Sequence, residues 1–332
     1  MHKTPVAAAL DSLYRSIRPD LERVETHLRE VCRHPNPLIG EINDYLFQIA
    51  GKRIRPALLL LCNRLHGRPA IDDAPFWSAM IEIIHTASLI HDDIVDDSDL
   101  RRGRATVHAK WGPNVTVLLG DFLYIKSIVL SLRRRNYRLI DILADVTADM
   151  IEGELIEVSW NGRVEIPESV YIDVLDKKTA SLFAGACRIG AVLGQAPPED
   201  EARVESFGRS LGLCFQIIDD WLDFAGDAAT LGKPVLSDLR EGRMTLPVIR
   251  CLARMEKTRH GEFINLIENS ATSESMFSRI LEIIRAEGVL EETFDRARSY
   301  AAAAKDALIA LPSSPARATL IGLTDLLLER TS

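Results

Sequence analysis

Apolar residues return along most of this chain at intervals of three and four. Leu10, Leu13, Tyr14 and Ile17, then Leu21, Val24 and Leu28, mark one face of a helix near the start, the period of an amphipathic α-helix. Pro56 followed by Ala-Leu-Leu-Leu-Leu-Cys-Asn-Arg-Leu reads as a helix with proline in its first turn. Longer helices are predicted over 74–97, 113–132, 138–157, 167–193 and 199–224. The last is apolar on most sides, as a central buried helix is. Further helices are expected over 246–255, 276–287 and 290–308. Loop signals fall at 34–37, 67–69, 161–167, 194–198, 226–242 and 311–315. No segment alternates as a strand does between turns, and none of the loops has the composition of a flexible linker. The expected architecture is one all-α domain over residues 1–332.

Composition narrows the function classes. Hydrophobic residues make up 47% of the 332 positions and charged residues 27%, enough apolar matter for a large core and too much for a disordered chain. Forty basic residues stand against forty-eight acidic ones, a net charge of −8. Such a chain is a poor binder of nucleic acid, which needs a basic surface, so no nucleic-acid partner is expected. Five cysteines, Cys32, Cys62, Cys187, Cys214 and Cys251, form no Cys-x-x-Cys pair. An odd count without that spacing argues for reduced, buried thiols rather than disulfides or structural zinc. Val6–Leu10 is apolar, but Asp11 and Arg15 follow at once, so no signal peptide is expected. The apolar stretch 115–132 is broken by Asp121, Lys126 and Ser131. The expectation is a soluble cytoplasmic protein with no integral membrane segment.

One internal echo carries chemistry. An Asp-Asp-x-x-Asp run occurs twice, as Asp92, Asp93 and Asp96 and again as Asp219, Asp220 and Asp223. Positions i and i+4 share a helical face, with i+1 on its flank. Each run adjoins an apolar helix: Ile81, Ile83, Ile84, Leu89 and Ile90 before the first, Leu213, Phe215, Ile217 and Ile218 before the second. A solvated acidic helix end needs no such setting. Carboxylates crowded against an apolar helix require cations, since burying them unpaired costs several kcal/mol per group. Hard oxygen donors at this spacing suit Mg²⁺, whose coordination is commonly completed by water and substrate phosphates. If the two helices face each other, the runs form two walls of a cation-lined cavity, as helical bundles build metal sites.

Basic clusters flank both runs. Gly51-Lys52-Arg53-Ile54-Arg55-Pro56 opens a predicted helix, where backbone N–H groups also favour anions. Arg101, Arg102 and Arg104 follow the first run; Lys177, Lys178 and Thr179 lie inside a helix; Lys233, Arg240 and Arg243 follow the second run. Any one of these is an ordinary charged surface; together they are placed to hold an anionic, phosphate-bearing ligand. His85 lies two helical turns before Asp92, as a phosphate donor or as a satisfied core histidine. His91–Asp92 is similar to the pair found in metal-dependent phosphohydrolases, but His66, His85 and His108 are not well placed to complete that ligand set. No Walker loop or dinucleotide fingerprint is present.

Over nearly the whole chain these segments resemble the trans-prenyl (polyprenyl) diphosphate synthases. The resemblance rests on Ala-Gly-Lys-Arg-Ile-Arg-Pro at 50–56, Leu-Ile-His-Asp-Asp-Ile-Val-Asp-Asp-Ser-Asp-Leu-Arg-Arg-Gly-Arg at 89–104, Gly-Asp-Phe-Leu-Tyr at 120–124 and Glu-Gly-Glu at 152–154. It continues through Lys-Lys-Thr-Ala at 177–180, Phe-Gln-Ile-Ile-Asp-Asp-Trp-Leu-Asp-Phe at 215–224 and Leu-Gly-Lys-Pro-Val-Leu-Ser-Asp-Leu-Arg-Glu-Gly-Arg at 231–243. It implies a helical bundle around a deep central cavity, of the isoprenoid synthase kind, assembled as a homodimer. It further implies Mg²⁺ bound by Asp92, Asp96, Asp219 and Asp223, with Asp93 and Asp220 completing the catalytic runs. Allylic diphosphate would be held by Arg101, Lys178, Thr179, Gln216 and Lys233, and isopentenyl diphosphate by Lys52, Arg55, His85 and Arg102. Three positions depart from the family pattern. Ala50 replaces a glycine, Arg243 stands where lysine is usual, and Leu236 stands where glycine is common.

The chemistry implied is ionisation of an allylic diphosphate, attack by the double bond of isopentenyl diphosphate, and loss of a proton. Bulky aromatics just before the first run stop chain growth early in this family. Here Ala87 and Ser88 are small, so the expected product lies in the hexaprenyl to decaprenyl range, grown from farnesyl diphosphate, unless a deeper plug near Ile125, Ile128 or Val129 shortens it. The alternatives are a short-chain (farnesyl or geranylgeranyl) diphosphate synthase and a non-catalytic subunit of a heteromeric prenyl synthase. A terpene cyclase would carry a mixed second metal motif, which Asp219, Asp220 and Asp223 do not form.

Overall fold

The computed structural model describes residues 5–47, 51–66, 72–101, 103–226, 235–269 and 273–329. The chain begins with α1 (Pro5–Leu13), a 3₁₀ turn at Tyr14–Ile17, α2 (Arg18–Cys32), α3 (Pro37–Phe47), α4 (Ile54–Asn63) and α5 (Ala74–Val95). A hairpin of β1 (Leu100–Arg101) and β2 (Arg104–Ala105) precedes α6 (Val107–Trp111), α7 (Pro113–Arg133) and α8 (Tyr137–Trp160). Next come α9 (Glu168–Leu175), a π-helical turn at Asp176–Ala180, α10 (Ser181–Leu193) and α11 (Pro198–Ala225). A single turn at Ser237–Arg240 leads to helices Leu246–Arg254, Lys257–Glu268, Glu274–Ala286, Val289–Ile309 and Pro315–Glu329. The fold is all-α, as the three-to-four period predicts.

Helix boundaries follow local chemistry. Thr106 caps α6 by accepting from the Ala109 N–H at 3.1 Å. Gly112, at φ 83°, turns the chain directly into α7, whose first residue is Pro113. Pro37 and Pro315 likewise open helices that loop signals alone did not predict. Lys257–Glu268 escaped prediction for another reason: it buries only Phe263 and Ile267 and is otherwise polar. The hairpin's strands are two residues each, too short for any alternation to appear.

The helices group into two compact units. One comprises Met1–Ala148, Leu182–Gly208 and Asp306–Leu323; the other Asp149–Ser181, Arg209–Lys305 and Thr324–Ser332. Neither is a continuous stretch of chain, so no single cut in the sequence separates them.

In the first unit α5 packs along α2, α4 and α7. Every residue from Ala74 to Ile84 is buried, and so is every residue of α4 from Pro56 to Asn63. Helices apolar all round belong in a core, and each fully buried leucine of α4 contributes about 1.5–3 kcal/mol. In the second unit the core takes Ile217, Ile218 and Phe224 from α11, with Leu246, Val248, Ile280 and Ile284 from the helices that follow. All five cysteines are buried and free of disulfides, as their count and spacing predict.

Among the described residues α7 is the one helix long and apolar enough to cross a membrane. It turns Leu119 and Leu123 inward while Leu118, Ile125, Val129 and Leu132 stay exposed. Ile125 and Val129 therefore face away from the core of their unit and plug nothing within it.

Gly190 of α10 sets the approach of α10 to α4. A methyl group there would lie 2.3 Å from the Leu59 carbonyl oxygen. Alanine ordinarily stabilises a helix interior by about 1 kcal/mol over glycine, but a rigid backbone oxygen cannot move aside. Gly190→Ala should lower the thermal midpoint by several degrees, the effect of about 1–3 kcal/mol of overpacking. Calorimetry showing a raised midpoint would contradict this packing.

Candidate active site

The first acidic run closes α5. Asp96 caps the helix, its N–H donating to the Asp92 carbonyl at 2.8 Å. The carboxylates thus gather at a helix C-terminus, where the dipole disfavours negative charge. Asp93 is buried, and Arg101 Nε donates to its Oδ1 at 2.6 Å. The β1–β2 hairpin delivers that arginine, since Arg101 pairs with Arg104 across it. Burial pushes the Asp93 carboxyl above the usual carboxylate range, with Arg101 acting against the rise. Asp92 and Asp96 are half-buried. Arg101, assigned by resemblance to the allylic diphosphate, is held here by Asp93. Arg102 lies outside the described residues.

Two turns before Asp92 on the same helix, His85 Nε2 meets Arg55 Nη1 at 3.0 Å. An arginine only donates, so this nitrogen accepts and any proton on the ring of neutral His85 sits on Nδ1. The Arg55 guanidinium also lies 4.7 Å over the Phe183 ring. Burial lowers it to about 10, still protonated at neutral pH, with nearby Glu82 opposing the fall. Its Nε is buried with no hydrogen-bond partner among the described residues. Lys52 is exposed at the same turn. Arg53, a member of the same basic cluster with no substrate assigned to it, is bound to Glu25 and Glu82. Three basic residues in four positions look alike in sequence; only the fold decides which one is spent on carboxylates.

In the second unit, Asp219 is exposed while Asp220 and Asp223 are buried. Tyr171 Oη donates to Asp220 Oδ2 at 2.6 Å and Gln216 Nε2 to Oδ1 at 2.9 Å. Gln216 Oε1 in turn accepts from Thr179 Oγ1 at 3.1 Å. Burial above all, and then Asp238, raise the Asp220 carboxyl well above its ordinary value, against the two hydrogen bonds. Tyr171 was not singled out from the sequence, because a tyrosine forty-nine residues away from its partner carries no local signal.

The helix predicted over 167–193 is interrupted where Lys177, Lys178 and Thr179 sit. The Ser181 N–H reaches back to the Asp176 carbonyl, a π-type bond, and such turns recur at functional sites. Gly153 of the Glu-Gly-Glu segment makes room for it: a methyl group there would lie 2.6 Å from the Lys178 backbone nitrogen. Glu152 and Asp173 hold Lys177, at 2.9 and 3.0 Å, and raise it to about 12. Glu154 and Glu157 hold Lys178. The lysine assigned to a diphosphate thus rests on two glutamates.

Asp223 anchors the turn after α11. Its Oδ1 accepts from Ser237 Oγ at 2.7 Å, its Oδ2 from the Asp238 N–H at 3.1 Å, and its carbonyl from the Leu236 N–H at 2.9 Å. Leu236 is left-handed, φ 61° and ψ 32°, which costs a non-glycine residue about 1–2 kcal/mol. Its side chain is 1% exposed, and burial of that order returns about 1.5–3 kcal/mol. The leucine is therefore tolerated where glycine is common. Arg243 bonds Asp238 at 3.0 Å and also Glu241, so it braces the same turn. Lys233 lies outside the described residues.

The donors present fit magnesium and not a closed metal cage. Among the described residues no group of three or more His, Cys, Asp or Glu side chains converges on one point. Mg²⁺ is typically held by one or two carboxylates, with water and phosphate completing its shell. Asp92 and Asp96, and separately Asp219, offer oxygen donors within reach of solvent. Asp93, Asp220 and Asp223 are engaged by protein donors. His91 Nε2 donates to the Val117 carbonyl at 3.1 Å and its ring lies against Tyr124, a packing role in place of the ligand role that a phosphohydrolase needs.

The chain is similar to known proteins over nearly its whole length. The polyprenyl synthetase family model matches residues 36–284. The chain is 34% identical to an octaprenyl diphosphate synthase of Haemophilus influenzae, covering 97% of each chain. It is 35% identical to a short chain isoprenyl diphosphate synthase of Methanothermobacter thermautotrophicus, covering 93% of this chain and 94% of that one. The solved structure of a decaprenyl diphosphate synthase from Rhodobacter capsulatus superposes with a TM-score of 0.92 at 34% identity, covering 97% of this chain and 99% of that one.

Tyr171→Phe should leave Asp220 Oδ2 buried without its donor. The expected cost is about 1–3 kcal/mol, seen as a lower thermal midpoint together with reduced turnover. An unchanged midpoint would show that Asp220 does not depend on Tyr171.

Proposed function

As a member of the polyprenyl synthetase family the chain is a prenyltransferase, and we propose that it extends farnesyl diphosphate with successive isopentenyl diphosphate units to a trans-polyprenyl diphosphate of hexaprenyl to decaprenyl length. One observation carries the reading. Helix α5 carries His85, on which the Arg55 guanidinium rests, about 10 Å along its axis from Asp92. Isopentenyl diphosphate binds Arg55, His85, Lys52 and Arg102. The allylic diphosphate binds Arg101, Lys178, Thr179, Gln216 and Lys233. To do so Lys178 leaves Glu154 and Glu157, and Arg101 turns from Asp93.

Asp92 and Asp96, and Asp219, would hold magnesium, which would supply neutralisation of charge on the departing diphosphate. Asp223 would be the fourth ligand; its carboxylate also accepts from Ser237 and Asp238. As the allylic C–O bond breaks, its electron pair stays with diphosphate, whose growing charge meets the basic side chains. The double bond of isopentenyl diphosphate attacks the allylic cation, forming the new carbon–carbon bond. A proton then leaves to the released pyrophosphate.

Product length follows from α5. Ser88 lies one turn before Asp92 on the same face, half-buried, with its hydroxyl on the His85 carbonyl at 2.9 Å. Ala87 is fully buried. Small side chains there leave room for a growing chain. The Methanothermobacter relative favours a second reading, a short-chain product. We further infer that residues 1–332 act as one catalytic domain and that the enzyme is a cytoplasmic homodimer, with a second copy covering Leu118, Ile125, Val129 and Leu132.

Purified chain incubated with farnesyl diphosphate, labelled isopentenyl diphosphate and Mg²⁺ should give product of six to ten prenyl units. No extension at all would point to a subunit that needs a partner, and products of three or four units would establish the short-chain reading. Chelation, Asp92→Ala and Asp219→Ala should each lower turnover by about a hundredfold or more; wild-type rates in either variant would remove these carboxylates from the mechanism. Ser88→Phe should shorten the product, and an unaltered product distribution would refute the role of Ser88.

A further inference from the structure

Arg53 stands between two residues assigned to isopentenyl diphosphate, yet it points at carboxylates. It precedes the first residue of α4 in a left-handed conformation, φ 51° and ψ 37°. That backbone state is unfavourable for arginine, so its persistence requires compensation from the side chain. Nε and Nη2 hold the two oxygens of Glu25 at 2.6 and 3.2 Å, and Nη1 holds Glu82 at 2.7 Å. The side chains of Arg53 and Glu82 are only 12% and 8% exposed. One planar fork therefore satisfies two carboxylates from two different helices, geometry that lysine cannot reproduce.

Glu82 is the residue of consequence. It lies on α5 one turn before His85, and His85 holds Arg55. Glu82 already acts on the Arg55 charge. Among the described residues no carboxylate forms an ion pair with Arg55, and its Nε has no partner. A buried carboxylate stripped of Arg53 would be strongly disfavoured unless another cation took it, and Arg55 is the cation placed to do so.

We propose that Arg53 is a positioning residue that occupies Glu25 and Glu82, so that Arg55 stays available to the diphosphate of isopentenyl diphosphate. The inference rests on the reading that Arg55 binds that substrate. Arg53 itself touches no substrate; its effect is to prevent an internal carboxylate from competing with an external phosphate for the same guanidinium.

Steady-state kinetics on the full chain, varying each substrate separately, test this. Arg53→Gln should raise KM for isopentenyl diphosphate at least about tenfold, the scale of one charged hydrogen bond, while KM for farnesyl diphosphate stays unchanged. Adding Glu82→Gln removes the competitor and should bring KM for isopentenyl diphosphate back towards wild type, whatever the thermal midpoint does. Equal KM values in Arg53→Gln and wild type, or a double variant as impaired as the single one, overturn the proposal. If Arg53→Gln does not fold, Arg53→Lys serves: without the planar fork it cannot hold both oxygens of Glu25 and Glu82 together, so its KM should rise and be corrected by Glu82→Gln, and a flat KM is again decisive against the idea. A wild-type chain with no condensation activity sinks the functional reading itself, whereas an active wild type with an indifferent Arg53 sinks only this inference.

Discussion

Three carboxylates gathered on one helical face repel one another, and the surroundings of each run offset that repulsion. Both runs solve the problem in the same way: the second aspartate is withdrawn into the protein and given donors. Asp93 takes a charged donor, Arg101, and Asp220 takes two neutral ones, Tyr171 and Gln216. Burial raises both carboxyls, while the donors hold each in place beside the remaining aspartates. Half-buried Asp92 and Asp96 in one unit and exposed Asp219 in the other are hard oxygen donors suited to an ion that keeps its water and its phosphates.

The same constraint acts with the opposite sign on the basic residues. A cation meant for substrate is useful only if no internal carboxylate holds it more firmly. The protein handles this in two ways. Arg55 is paired with a neutral histidine and an aromatic face, while the neighbouring carboxylates are given to Arg53. Lys178 is instead held by Glu154 and Glu157, so any anion it takes up must displace them. Exchange of one anion for another costs less than desolvating a free ammonium.

Backbone irregularities fall where these charges are arranged. The π-turn at Asp176–Ala180, the left-handed Arg53 and the left-handed Leu236 are each local conformations that a regular helix would not choose. Each is held by contacts remote in sequence: close approach at Gly153, the carboxylates of Glu25 and Glu82, and the carbonyl of Asp223 with burial of the leucine side chain. Local strain at functional positions, offset elsewhere, is a recurring property of sites.

Residue spacing along the chain was enough to read the all-α class, most helix positions, the two acidic runs and the basic clusters beside them. Those are properties of spacing within a few residues, and helical periodicity is a local constraint. Where spacing was weak, as in the polar helix Lys257–Glu268, the sequence was silent. It took the folded chain to show that Arg53 serves carboxylates while Arg55 does not, that the second aspartate of each run is buried, and that Tyr171 reaches Asp220. Each of these depends on a partner between eight and forty-nine positions away along the chain. Burial and charge pairing are set by whatever the fold brings alongside, and no periodicity in the chain records that.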